Sequence, residues 1–159
     1  MKCRLSLCAL LAAALIAGSA HASAVVRFTQ PEKYTDMPFA ASDRQEVMIQ
    51  LQKHFDKLAA TLPAGQDLNI EVLDIDLAGR IEPSARAPRD LRILRGSADW
   101  PVITLKFSVE AQGKVLKSGE ERIADQTYML GFNHYNSSES LRYEKQMLDR
   151  WFTKTLLHE

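Results

Sequence analysis

Apolar positions recur along this chain with two periods, and the switches between them mark the elements. Val25 to Thr29 is a β-branched and aromatic run followed by the breakers Pro31, Asp36 and Pro38, which predicts a first strand feeding a loop. Met48, Leu51, Phe55, Leu58 and Leu62 then recur at spacings of three and four, one apolar stripe on a helix from about Asp43 to Thr61. Ser42, three residues before Gln45, has capping-box spacing for its start, and Pro63 and Gly65 end it.

Leu68, Ile70 and Val72 alternate with polar residues as a half-buried strand does, but Leu73, Ile75 and Leu77 continue in the opposite parity. Either a bulge near Val72 and Leu73 swaps the faces, or the end of the strand is covered on both sides. Gly79 to Asp90, with Pro83 and Pro88, reads as an irregular surface connection, and Leu91 to Leu94 as a short edge strand. Ile103, Leu105, Phe107 and Val109 alternate with polar residues up to Gln112-Gly113, and a second run from Val115 to Ile123 completes a β-hairpin. Asn136 to Ser138 supply caps for a closing helix with an apolar face of Leu141, Leu148, Trp151, Phe152 and Leu156. Because a tight hairpin joins antiparallel neighbours, the expected fold class is α+β: a mainly antiparallel sheet of about four strands with two helices packed on one face.

Composition changes this picture at the amino terminus. Lys2 and Arg4 precede an apolar run from Leu5 to Ala17 and then small residues, the layout of a secretory signal peptide. The run is shorter than the ~20 residues a membrane-spanning helix needs. Cleavage is expected after Ala22, with Ala24 as the other site, so residues 1–22 form the leader and 23–159 a single domain with no membrane span. Cys3 and Cys8 leave with the leader, which excludes disulfide, thiol and redox chemistry from the remainder. Losing Lys2 and Arg4 leaves 18 basic against 20 acidic residues, a balance that offers no electrostatic basis for binding nucleic acid.

Three stretches, Val26 to Met37 (VRFTQPEKYTDM), Val72 to Pro83 (VLDIDLAGRIEP) and Asp90 to Phe107 (DLRILRGSADWPVITLKF), together resemble the bacterial family catalogued as domain of unknown function 3016. The resemblance spans nearly the whole chain after the leader. It implies a bacterial exported protein, placed in the periplasm or secreted, and brings no activity or site residues with it.

Candidate chemistry lies in three clusters. Asp74 and Asp76, two apart on a strand, point to one side roughly 7 Å apart. A hard cation would relieve their repulsion, with Asp125 or Asp36 joining from loops, although arginine partners or turn caps would do the same. Arg80, Arg86, Arg89, Arg92 and Arg95 follow, and their guanidinium forks suit an anionic partner or simply water. Tyr128, Phe132, His134 and Tyr135 form an aromatic, amide-rich stretch that can stack on a sugar or peptide, or fill a gap between sheet and helix. Of the remaining histidines, His54 is expected near the solvent edge of its helix. No nucleophile elbow, His-Glu-x-x-His, Walker loop or dinucleotide fingerprint occurs, and no catalytic residue or cofactor is assigned. The reading is a non-catalytic binding or envelope-accessory module for an envelope protein, lipid or glycan. The alternative is a metal-dependent or carboxylate-based hydrolase using Asp74, Asp76 and Asp125.

Overall fold

The computed structural model describes residues 24–82, 91–96 and 98–157. Residues 1–23, 83–90 with Arg86 and Arg89, Ser97, and His158 and Glu159 lie outside them. No helix among the described residues is long and apolar enough to cross a membrane. In chain order the elements are β1 (Ala24–Phe28), a 3-10 turn (Pro31–Lys33), α1 (Ala41–Ala59), β2 (Gln66–Asp76), β3 (Arg80–Glu82), β4 (Leu91–Ile93), β5 (Val102–Ala111), β6 (Lys114–Ala124), α2 (Arg142–Phe152) and a π turn (Thr153–Leu157).

The main sheet has the order β1-β2-β5-β6, and β3 and β4 make a separate two-stranded ribbon. β2 with β5 and β5 with β6 are antiparallel, whereas β1 with β2 is parallel. The parallel pair follows from its connection: α1 carries the chain back across the sheet, which a hairpin could not do. The fold is therefore α+β with a mixed sheet. β5 and β6 meet through Gln112 and Gly113, both at positive φ (51° and 74°), as a two-residue hairpin of primed type requires.

Leu73 is the residue that settles the parity conflict in β2. Val72 lies opposite Leu105 and Asp74 opposite Thr104, so Leu73 is extra and forms a bulge. Leu68, Ile70 and Val72 before the bulge, and Ile75 after it, consequently face the same core as Leu105, Phe107 and Ile103. Leu51, Phe55 and Leu58 of α1 and Met147, Leu148, Trp151 and Phe152 of α2 close that core on one face of the sheet. Each such side chain contributes about 1.5–3 kcal/mol by leaving water. The opposite face carries Arg27, Asn69, Glu71, Lys106, Ser108 and Glu110 around an open basin of about 540 Å³.

The structure corrects four local expectations. α1 begins at Ala41 behind Ala40, and the Ser42 hydroxyl bonds Asp43 instead of capping a backbone donor. Arg44 ties the entry by donating to the Pro38 and Phe39 carbonyls. α2 starts behind Leu141, at φ 56°, while Asn136 turns inward on its own loop by accepting from Ser138 N. The connection after Gly79 opens as strand β3, not as irregular chain. Gly79 is at φ +79° with the Ile93 carbonyl oxygen 2.4 Å from where a Cβ would sit, so only glycine lets the ribbon close this tightly. Finally, His54 is buried between the helices, because the α1 stripe is wider than its five apolar residues and α2 packs on that flank.

Candidate functional site

The three described arginines of this segment all bind groups of the chain itself. Arg80 holds Glu82 along β3 at 2.6 Å and Arg95 reaches it from beyond β4 at 2.9 Å, and Arg80 first and Arg95 after it keep that carboxyl below its ordinary range. Arg92 reaches under the ribbon to Asp36 at 2.7 Å and to the carbonyls of Leu77, Ala78 and Gly79 at 3.2–3.4 Å. Through Nη1 alone it thus ties the loop after β1 to the chain beyond β2, two hydrogens being shared among four oxygens, while Nη2 is buried without a partner among the described residues.

The aspartates occupy two places. Asp74 accepts from Thr35 N and Thr35 Oγ1, both at 2.7 Å, and Asp76 lies beside Asp36 through an isolated parallel bridge. Burial, then Asp36 and Asp74, push the Asp76 carboxyl up. Asp125 stands past the end of β6, whose Ala124 is opposite Val102 as Val102 is opposite Asp76. Two strand spacings, about 10 Å, therefore separate that end of β6 from Asp76. Asp125 instead accepts from Thr127 N and Oγ1 and pairs with Arg150 at 2.9 Å. Among the described residues no three metal-ligating side chains form a group that could hold an ion.

The aromatic stretch divides into anchors and a tip. Tyr128, only 3 % exposed, donates from its hydroxyl to Asp99 Oδ1 at 2.8 Å, accepts from Gly96 N and packs edge-on against Tyr143 at 4.8 Å. Burial, with Asp99 beside it, pushes that hydroxyl up to about 12. Past the tip, Asn133 Nδ2 donates to the Arg142 carbonyl and its Oδ1 accepts from Tyr135 N. His134 N donates to Gln146 Oε1.

Asp149 of α2 is the hub of this second anchor. Its Oδ1 accepts from His54 Nε2 at 3.0 Å, and its Oδ2 accepts from His134 Nε2 at 2.9 Å and the Tyr135 hydroxyl at 2.8 Å. His54 Nε2 also faces the Lys145 carbonyl at 3.1 Å; two acceptors there place the ring proton on Nε2. Burial pushes the Asp149 carboxyl up, but the hydrogen bonds from His54 and Tyr135, with His134 adding to them, outweigh it and hold the group below its usual range. Burial and the Asp149 bond push the Tyr135 hydroxyl up.

Between these anchors Met129, Leu130 and Phe132 are 47, 76 and 86 % exposed. Phe132 is the site residue of the sequence reading that reaches solvent as an apolar group, while Tyr128 and Tyr135 serve to hold the loop. Sequence reading missed Met129 and Leu130, for which a signal existed: two large apolar residues immediately before Gly131 in an otherwise amide-rich loop. It also missed Asp99, Asp149 and His54, whose roles depend on partners far away in the chain.

A family model described as Protein of unknown function (DUF3016) matches residues 22–154. No curated protein and no solved structure matches the chain.

Proposed function

Since the chain belongs to the family described as Protein of unknown function (DUF3016), whose description states no activity, we propose a function from the site itself: an exported, non-catalytic binding module that docks on an envelope protein through the loop tip Met129–Phe132. The carrying observation is that Leu130 and Phe132 stand in solvent on a loop fixed at both ends by hydrogen bonds. With Met129 they place three large apolar side chains within four residues, the kind of grouped apolar exposure that marks an interaction site. Here the anchoring removes much of the ordering cost that binding by a loose segment would carry.

Magnitude favours a protein partner over a bilayer. Fully buried, three side chains of this size supply roughly 4–9 kcal/mol. A single myristoyl chain, of similar apolar bulk, holds a protein on a membrane only marginally and reversibly. In a protein pocket the same residues act as central anchors within a larger interface. The charged, apolar and small-residue succession over residues 1–22 supports export, to the periplasm or out of the cell.

Affinity capture from an envelope extract tests this, run with the wild-type chain and with Leu130→Asp/Phe132→Ser. A protein retained by the wild type and lost with the double variant is the expected result. Co-sedimentation with anionic vesicles and no loop-dependent protein would overturn the partner assignment. The hydrolase alternative draws on the raised Asp76 carboxyl beside Asp36 and Asp74. Calorimetric titration with Ca²⁺, Mg²⁺ and Mn²⁺ addresses its metal form, which requires heat that Asp76→Asn abolishes.

A further inference from the structure

β6 is an eleven-residue strand at the edge of the main sheet, with β5 on one side and, among the described residues, no strand on the other. Nearly all of it is exposed, including Val115 and Leu116. A long edge of this kind presents a row of free backbone donors and acceptors to any strand that can lie beside it. Lysines and a bulge restrict which strands can. β6 has both, with Lys114 and Lys117 in its first half and an extra residue at Leu116.

Along β6 Lys114 and Lys117 stand in the first half, Glu120 and Glu121 in the second, and Arg122 after them. A parallel copy would set like charges side by side, whereas an antiparallel copy sets lysines against glutamates twice. The face parity selects the register. Lys117, Gly119, Glu121 and Ile123 lie opposite Val109, Phe107, Leu105 and Ile103, on the helix-covered side, and Ser118 and Glu120 lie opposite Ser108 and Lys106, on the open side.

We propose that β6 is a homodimer seam, in which two copies pair antiparallel about a two-fold axis through Gly119 and join their sheets edge to edge. In that register Lys117 faces Glu121 of the second copy and Ser118 faces Glu120, each meeting a residue from its own side of the sheet; before the bulge at Leu116 the faces no longer correspond, so the paired seam runs from Lys117 to Glu121. Gly119 suits the axis because the Phe107 ring already fills the place of its side chain, with Cε1 2.9 Å from a Cβ position. The rings of both copies then flank the axis and continue the two cores. The seam is separate from the loop Met129–Phe132 and stands without it.

Sedimentation velocity over a concentration series, on the protein in the form the cell produces, tests the proposal. A monomer–dimer equilibrium is expected, with Lys117→Glu, an exposed and tolerated change, weakening it by about tenfold because two attractive pairs become repulsive. Amide exchange at Ser118, Gly119 and Glu120 slows as concentration rises. A monomer at every concentration overturns the proposal, as does a dimer indifferent to Lys117→Glu or one in which β6 exchange does not change.

Discussion

Arg92 and Phe132 belong to the two segments whose composition best suits binding, and the fold treats them in opposite ways. The guanidinium of Arg92 is drawn under the β3–β4 ribbon onto Asp36 and three carbonyls, and Arg80 and Arg95 share Glu82. Around Phe132 the polar groups turn inward, onto Asp99, Asp149, Gln146 and the Arg142 carbonyl, and the apolar side chains turn out. Charged residues in a connection are used to fix a backbone that has no strand beside it. Three large apolar residues grouped in solvent on a fixed backbone are the reason the loop is proposed as the docking element.

The comparison can be broken most forcefully at Arg92. Arg92→Ala takes from Asp36, beside Asp76, its paired cation and removes the donor that Leu77, Ala78 and Gly79 share, for an expected loss of about 3 kcal/mol in urea denaturation. Asp149→Asn removes the anion that gathers His54, His134 and Tyr135, with an expected loss of about 2 kcal/mol at neutral pH and faster proteolysis of the loop. Because the folded carboxyl titrates below its ordinary value, this contribution is complete above about pH 4 and disappears as pH falls through the lowered value. The stability difference between wild type and Asp149→Asn should close in that acid window.

Glu144 behaves with the opposite sign. Burial holds its carboxyl up while Ala78 N donates to it at 2.8 Å, so its charged form costs stability above its folded pKa. Glu144→Gln keeps an acceptor and is expected to raise stability at neutral pH by up to about 1 kcal/mol, the gain fading as pH falls. Leu130→Asp should have the smallest effect on folding, within about 0.5 kcal/mol, because the side chain touches little. Partner capture should nonetheless be lost. That separation of stability from binding is what distinguishes the tip from its anchors.

Legibility in the sequence followed the range of the interaction. β5, β6 and their turn were readable because alternation and Gln112-Gly113 are local, and the parity clash at Val72-Leu73 left two readings, of which the pairing with β5 selects the bulge. The parallel pairing of β1 was less visible: it depends on where α1 returns the chain. His54 was misplaced for a related reason, since the face α1 offers to α2 is set by a helix that begins nearly ninety positions later. At the site, the aromatic stretch could be located but not divided, because the hydroxyls of Tyr128 and Tyr135 are held inward by Asp99 and Asp149 and Phe132 has no such acceptor.

A photoreactive residue placed at position 132, and in a separate chain at the exposed position 80, compares the two segments directly inside the exporting cell. Docking through the loop predicts a discrete protein adduct from position 132 that Leu130→Asp abolishes, and none from position 80. An adduct from position 80 alone, or one from position 132 that survives Leu130→Asp, would contradict it.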